Sequence, residues 1–245
     1  MQYPSRPWAC QPKWRAWVDR GLDALLPQRC LLCLGKAERI CLCRPCLEGL
    51  PRSAMDCPSC ALPVPGPGAC GACQKQPPAW DSATAALLYD FPVDVLVSQL
   101  KYRRQLAAAP VLAMAMGERL PSALNSDALL LPVPLHWSRL AARGYNQSLE
   151  LAIHLARWHG LELSRDQLRR QRRTPTQTGL DAATRRRNLR DAFAWNGAPL
   201  RGRHLVLVDD VMTTGSTAAA CARVLRAAGA GRVDVWVAAR AVVDW

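Results

Sequence analysis

The chain has 245 residues, half of them hydrophobic, which is enough for one α/β domain with a buried core plus a smaller module. Its formal net charge is +13, and arginine supplies 28 of the 32 basic residues; this composition fits either a polyanionic partner or an arginine-rich surface that serves solubility. No apolar run approaches the roughly 20 residues that span a bilayer, and the N-terminus lacks a signal-peptide core, so we expect a cytoplasmic protein without a membrane span.

The first 28 residues are predicted to form a helical extension ahead of the other modules. Three prolines within the first 12 residues disfavour a regular helix at the start. Residues 13 to 26 place Trp14, Trp17 and Leu25 at helical spacing, and we expect a short helix whose apolar side packs on a neighbouring domain.

Cysteines are concentrated near the N-terminus, where ten of the eleven come before residue 74. Eight of them form four CxxC pairs, with nine, ten and nine residues between successive pairs: Cys30/Cys33, Cys43/Cys46, Cys57/Cys60 and Cys70/Cys73. Two such pairs supply the four sulfur ligands of one tetrahedral Zn²⁺. The four pairs therefore predict about two structural zinc ions.

These four pairs admit two arrangements. In sequential sites the first two pairs hold one ion and the last two hold the other, whereas in a cross-braced module the pairs interleave. We favour sequential sites because they need only short hairpin-like excursions. A lone CxxC could be a redox motif or a disulfide, but four regularly spaced pairs in a cytoplasmic chain favour zinc. The module is too poor in large apolar residues to fold without metal.

The residues after the cysteine-rich module are typical of an α/β domain. Predicted elements in its first half are a strand at residues 83 to 89, helices at 92 to 103 and 107 to 120, and a buried strand at 128 to 133. Arg139, Arg143 and Gly144 then occupy a loop or first turn at the carboxyl end of a strand, which is where open α/β sheets bind ligands. Asn146 is predicted to cap the next helix.

Residues 165 to 190 hold nine arginines against two acids. Pro175 and Gly179 indicate a mobile loop in the middle of this segment, and residues 181 to 190 are predicted to form a short helix. The composition leaves two interpretations open. The segment either lies along a nucleic-acid backbone, where each neutralised phosphate adds affinity that salt removes, or is a solvated charged hairpin.

Residues 205 to 217, LVLVDDVMTTGST, carry the strongest functional signal. The first four are an unbroken apolar run that predicts a strand buried on both faces of a parallel sheet, and Asp209 and Asp210 follow where that strand is expected to end. Small hydroxyl residues around a glycine come next: Thr213, Thr214, Gly215, Ser216 and Thr217. Residues 218 to 228 then predict a helix, with Cys221 and Leu225 on one face.

A strand, turn and helix start of this kind gathers free N–H groups at the positive end of a helix dipole, where a phosphate dianion can bind. The carboxylates would repel the anion unless the ligand turns hydroxyl donors toward them, and a ribose 5-phosphate has that layout. The stretch resembles the phosphoribosyl pyrophosphate (PRPP) motif of type I phosphoribosyltransferases. No lysine follows the glycine, which excludes a nucleotide-triphosphate P-loop, and an ordinary capped turn would not need two adjacent acids.

The cysteine-rich start, the RGYNQ segment at residues 143 to 147 and this closing motif together resemble the ComF family of competence-associated proteins over nearly the whole chain. The resemblance implies an α/β fold: a type I phosphoribosyltransferase-like open parallel sheet with flanking helices, preceded by a small cysteine-rich zinc-binding module. We divide the chain into an N-terminal helical extension (1–28), a double zinc-ribbon-like module with its linker (29–78) and a phosphoribosyltransferase-like domain (79–245). The family is linked to natural transformation and imported single-stranded DNA, which implies DNA-uptake machinery proteins as partners.

The same resemblance implies a glycosyltransferase reaction. PRPP binds with Mg²⁺, and a nucleophile attacks the ribose C1 as pyrophosphate leaves. Asp209 and Asp210 would hold the ribose hydroxyls and stabilise positive charge developing on the ring, while residues 213 to 217 would bind the 5-phosphate. The pyrophosphate candidates are arginines beside the strand end and in a loop expected to close over PRPP: Arg139, Arg143, Arg172, Arg173 and Arg185. No segment identifies the acceptor.

A second hypothesis is a non-catalytic protein that binds or processes single-stranded DNA and keeps the PRPP pocket as a sensor or relic. Its stacking candidates are Trp14, Trp17, Trp80 and Tyr102, although isolated aromatics of this kind more often belong to a core. The two hypotheses share the pocket and differ in whether turnover occurs.

Overall fold

Two small cysteine-rich modules precede the main domain in the computed structural model, which describes residues 28–37, 40–171 and 192–242. Each module contains a short helix, α1 at Arg44–Glu48 and α2 at Gly71–Lys75. Each also has an antiparallel bridge, between Arg29 and Lys36 in the first and between Asp56 and Pro63 in the second. The predicted helices at 13 to 26 and 181 to 190 lie outside the described residues.

The main domain is an open parallel sheet with flanking helices. In chain order its elements are β1 Ser82–Leu88, α3 Val93–Tyr102, α4 Ala108–Gly117, β2 Leu129–Pro132, α5 Trp137–Arg143, α6 Gln147–His159, β3 Glu162–Leu163, β4 Leu168–Arg170, β5 Phe193–Trp195, β6 His204–Met212, α7 Ser216–Ala227 and β7 Arg232–Arg240. Five strands pair in the order β1-β7-β6-β2-β3, all parallel, and β4 and β5 form a separate antiparallel pair. The predicted fold class is confirmed.

The core lies on both faces of the sheet because its central strands are apolar on both sides. Residues 205 to 208 of β6 are fully buried, as expected of a strand covered on two faces. Helices α3, α4 and α6 pack with Val206 and Val208 on one face, and α7 packs with Leu205 and Leu207 on the other. The first cysteine-rich module contributes to the first of these clusters, and the second module contributes Ala61 to the other.

Some segments differ from the sequence-based predictions. The region of Arg139 and Arg143, predicted as a loop or first turn, is helix α5, which ends at Arg143 and is capped by Gly144 in the left-handed conformation (φ 90°). The short strand β4 was not predicted; it forms because it pairs with β5, which is distant in sequence. The predicted cap is confirmed, since the Asn146 side chain accepts from Ser148 N at 3.0 Å.

The strand that carries the acid pair is longer than predicted. We expected it to end at Val208, but β6 continues to Met212, so Asp209 and Asp210 lie within it. Pairing with β2 does stop at Pro132 opposite Val208, while pairing with β7 continues until Met212 faces Arg240. The low strand propensity of two aspartates is therefore overridden by a long neighbouring strand.

Candidate functional site

A pocket opens at the carboxyl end of β6. It takes in about 350 Å³ of space that includes open solvent, and its lining combines the first acid with the hydroxyl-rich loop: Asp209, Val211, Met212, Thr213, Thr214, Gly215, Ser216, Thr217, Ala218, Val235 and Val237. The carboxyl edge of a parallel sheet is the usual ligand edge of this kind of fold. One predicted acid and all five predicted phosphate-binding residues thus share one concave surface.

The loop is built to present backbone donors. Gly215 takes the left-handed conformation (φ 71°) and serves as the N-cap of α7, and Ala219 N donates to Gly215 O at 2.9 Å. The N–H groups of the first turn have no partner within a helix and carry the positive end of its dipole. Thr214 Oγ1 and Ser216 Oγ lie 2.8 Å apart and add hydroxyl donors beside them. This geometry suits a phosphate dianion.

The two aspartates have different partners. Asp209 accepts from Ser148 Oγ at 2.8 Å, and Ser148 is fully buried at the capped start of α6. Asp210 is only 3 % exposed, and its Oδ2 lies 3.0 Å from Lys101 Nζ. Because successive side chains of a strand point to opposite faces, Asp209 lines the pocket while Asp210 turns toward α3.

The electrostatics of this acid pair disfavour a double negative charge. Burial and the neighbouring Asp210 raise the pKa of Asp209 to about 7, although the Ser148 hydroxyl and Lys101 oppose the rise. Burial lowers the pKa of Lys101, yet Asp210 and Asp209 raise it on balance above its ordinary value. Asp209 therefore ionises near neutral pH, beside a lysine that stays charged.

The predicted pyrophosphate arginines fall in different places. Arg139 is exposed on α5, and Arg143 lies over the Tyr102 ring at 5.6 Å and donates to Gln147. Arg172, Arg173 and Arg185 lie outside the described residues.

One arginine near the site was not anticipated. The Arg170 guanidinium lies over the Phe193 ring at 5.4 Å, and burial and the charge of Arg139 lower its pKa while Asp209 raises it. Arg170 therefore interacts electrostatically with both Arg139 and Asp209.

The eight CxxC cysteines form two compact clusters. Within each cluster the four Sγ atoms lie within 4.8 Å of one another: Cys30, Cys33, Cys43 and Cys46 in the first, and Cys57, Cys60, Cys70 and Cys73 in the second. The prediction of sequential sites is confirmed.

Both clusters fit zinc. Sulfur atoms bound to one tetrahedral Zn²⁺ lie about 3.8 Å apart for Zn–S bonds of about 2.3 Å, and the Cys33–Cys43 and Cys60–Cys70 sulfurs are 3.5 and 3.7 Å apart. Burial raises the pKa of Cys57, but N–H groups led by that of Cys70 lower it on balance to about 7, whereas burial raises the pKa of its neighbour Cys60 to about 11.

The sequence did not indicate that several other residues would contact the site. Ser148 and Lys101 meet the acids from other helices, and Trp80 and Arg240 contact the loop from outside the motif. Nothing in the sequence indicates that Lys101 pairs with Asp210. Trp80, a stacking candidate, is 7 % exposed and packs on Gly215, whereas Tyr102 is 75 % exposed.

The architecture and the cysteine clusters define a zinc-ribbon protein with an α/β domain that has a hydroxyl-rich loop at its sheet edge. The double zinc ribbon domain family matches residues 21–74. The DNA utilization protein YhgH of Salmonella typhimurium is 38% identical over 205 residues, 81% of this chain and 90% of that protein, and its Escherichia coli K12 counterpart is 37% identical with the same coverage. Competence protein F of Haemophilus influenzae is 36% identical over 181 residues, 70% of this chain and 78% of that protein.

The chain therefore belongs to the ComF family, the family of these DNA utilization and competence proteins. The resemblance noted from the sequence is confirmed, together with about two structural zinc sites. Within the described ranges, none of the helices has the length and apolar character needed to cross a bilayer.

We expect the purified protein to contain about two zinc ions per chain, because each four-sulfur cluster satisfies one ion. The double variant Cys60→Ser/Cys70→Ser should retain about one, and Cys41→Ser, which changes a cysteine outside both clusters, should retain both. Elemental analysis together with near-UV circular dichroism checks this. A folded protein free of zinc would contradict the assignment.

Asp209→Asn should stabilise the protein, and the gain should grow with pH. The folded-state pKa of Asp209 is about 7, above its ordinary value of 3.8, so the folded state binds the proton more tightly and loses stability as pH rises between those values. Asparagine cannot ionise, so the gain should reach on the order of 1–3 kcal/mol above pH 7 and vanish below pH 4. Urea unfolding from pH 4 to 8 measures it.

Asp127→Asn provides the control for this titration, because Asp127 is exposed. Its free energy of unfolding should follow the parent at every pH. If Asp209→Asn also follows the parent, Asp209 does not titrate near neutrality.

Proposed function

We propose that this protein binds PRPP together with Mg²⁺ and acts as a phosphoribosyltransferase-like protein in the uptake and use of DNA, alongside proteins of the DNA-uptake machinery. One observation carries the proposal: Asp209 and the loop residues 213 to 217 line the same pocket. The names of the relatives, DNA utilization protein and competence protein, support the biological setting.

The loop suits the 5-phosphate of PRPP. Its first-turn N–H groups and the Thr214 and Ser216 hydroxyls converge at the N-terminus of a 12-residue helix. At Gly215 the absence of a side chain lets the Trp80 ring pack directly against the loop backbone. Binding energy gained at the 5-phosphate is remote from the reacting C1 and holds the sugar in register with the acids.

The acids suit the ribose. Asp209, oriented by Ser148, can accept a hydrogen bond from a ribose hydroxyl, and a bound donor favours its ionised form. As pyrophosphate leaves, positive charge develops on the ring, and the Asp209 carboxylate stabilises it from the pocket, with Asp210 next to it in the strand. Lys101 Nζ lies 3.0 Å from Asp210 Oδ2 and holds that carboxyl group in place before substrate binds.

Magnesium would enter with the substrate. This ion usually retains waters and binds through one or two carboxylates plus the phosphates of its substrate, and the pocket lining offers one carboxylate, Asp209. When bound, the ion neutralises the pyrophosphate. Arg139 and Arg170 would stabilise the same leaving group, together with Arg172, Arg173 and Arg185 from the arginine-rich segment.

PRPP binding should depend on the acid pair. Calorimetry with PRPP and Mg²⁺ should give a heat of binding for the parent, and Asp209→Ala/Asp210→Ala should lose at least about 2 kcal/mol of binding free energy, since charge-assisted hydrogen bonds to the ribose are removed. The matched control is Asp127→Ala/Asp166→Ala, which removes two exposed carboxylates elsewhere. Equal binding by all three proteins would remove the pocket assignment.

Turnover is tested separately by screening pyrophosphate release from PRPP against nucleobases and other nucleophiles. Release that requires one acceptor class identifies the reaction, and binding without release for every acceptor leaves the protein a PRPP sensor.

The second candidate function, binding of single-stranded DNA, is favoured by the surface around α5. Tyr102 and Trp137 are 75 % and 70 % exposed, and Arg143 lies over the Tyr102 ring. Exposed aromatic rings among arginines are the usual platform for unpaired bases, with phosphates neutralised alongside.

Tyr102→Ala and Trp137→Ala should each weaken binding of single-stranded oligonucleotides by about 1–3 kcal/mol if bases stack on these rings. Phe91→Ala is the control, because Phe91 is equally exposed, at 74 %, and belongs to neither α5 nor the end of α3. Gel-shift titration of the parent at several salt concentrations should show affinity falling with salt. The absence of a shift at low salt would reject this function.

A further inference from the structure

A buried tryptophan joins the second zinc ribbon to the phosphate loop. Trp80 is 7 % exposed, and its Nε1 donates to Ser59 O at 2.6 Å, inside the Cys57–Cys60 turn of the zinc cluster. The other edge of the indole lies against Gly215, where an added Cβ would come within 2.7 Å of the ring. The ring thus fills the space between a zinc-binding turn and the loop glycine.

A buried arginine makes a second link at the same place. Arg240 is 6 % exposed at the end of β7, and its Nε donates to Cys60 O at 2.8 Å. Its Nη1 donates to Met212 O at 2.9 Å and also to Thr213 O, at the entrance of the loop. Burying a guanidinium group is costly unless its N–H donors are hydrogen-bonded. Arg240 therefore keeps the three carbonyl groups close together.

The first zinc ribbon makes no comparable link within the described residues. Its Leu31 carbonyl accepts from Gln99 Nε2 at 3.0 Å on α3, and its apolar residues join the core cluster on the other face of the sheet. Ala61 of the second ribbon instead joins the cluster of Trp80, Met212 and α7. The two ribbons therefore differ in which part of the domain they hold.

We propose that the second zinc ribbon positions the phosphate loop, with Trp80 and Arg240 as positioning residues, so that zinc at Cys57, Cys60, Cys70 and Cys73 sets the affinity of the pocket for ribose phosphates. The part of this proposal that concerns affinity rests on the proposed function. A loop held in its binding conformation before the ligand arrives spends less of the interaction energy on ordering. Gly215 leaves the loop free to move unless neighbours restrain it.

The test compares two matched zinc-site variants. Cys60→Ser/Cys70→Ser opens the second cluster, and Cys33→Ser/Cys43→Ser opens the first, each retaining the other zinc. Hydrogen exchange of the amides at residues 212 to 218 should become about tenfold faster or more in the second-cluster variant and change less than about twofold in the first-cluster variant. The affinity for PRPP with Mg²⁺ should fall by about tenfold in the second-cluster variant alone.

Variants that leave both zinc clusters intact separate positioning from loss of the ribbon. Arg240→Met removes the bonds to Cys60, Met212 and Thr213, and should speed loop exchange while two zinc ions remain bound. Trp80→Phe keeps a ring against Gly215 but loses the hydrogen bond to Ser59. Its rate of loop exchange should therefore lie between those of Arg240→Met and the parent. The control is Trp195→Phe, because the Trp195 indole also bonds a carbonyl, that of Ala198, and also packs on a glycine, but in the β4–β5 pair.

Each outcome shows whether or not the second ribbon positions the loop. Equal loop exchange in the two zinc-site variants overturns the inference, and so does unchanged exchange in Arg240→Met. If opening the second cluster unfolds the whole chain, as near-UV circular dichroism would reveal, loop exchange in Arg240→Met and Trp80→Phe decides whether the ribbon positions the loop. If the parent binds no PRPP, the proposed function fails, while loop exchange, which needs no ligand, still settles whether the ribbon positions the loop.

Discussion

The unequal pairing of β6 with its two neighbours determines the shape of the site. On one side the ladder with β2 stops at Pro132, with a last bond from Val133 N to Val208 O at 2.9 Å, and on the other side β7 continues to Arg240. The last four residues of β6 therefore border a notch in the sheet on the β2 side. Asp209 and Asp210 stand in this notch, and the loop that follows lies at its rim.

Enclosing charged side chains beside this notch lowers the stability of the folded protein. Asp210 and Lys101 form a nearly buried pair, Asp209 sits against them with a raised pKa, and Arg170 approaches from the β4–β5 pair. Such groups ordinarily lie in water, and their shared enclosure is typical of a surface prepared for a charged ligand. Ser148, fixed by the Asn146 cap whose Nδ2 donates to Val133 O at 3.1 Å, shows that capping also orients the site.

What the sequence could and could not predict follows from the separation of the interacting residues. The zinc clusters and the loop could be predicted from the sequence because the residues of each lie close together in the chain. Their spacing reflects a local geometry. Ser148 and Asp209, by contrast, are 61 positions apart, and Cys60 and Arg240 are 180 apart, so no local pattern links them. The length of β6 was underestimated for a related reason, since its end is set by β7 and not by the propensity of its own residues.

The pairing of β1 with β7 has a consequence for how the molecule assembles. Ser82 faces Asp234, so an edge strand made early in synthesis waits for a partner about 150 residues later. The cysteine clusters close within 17 residues each, as the spans 30–46 and 57–73 require, and can take up metal while the sheet is still incomplete. Nascent chains would thus carry two completed zinc-binding modules ahead of an unfinished sheet. We expect the slow step to be the pairing of β1 with β7, because these strands are far apart in sequence.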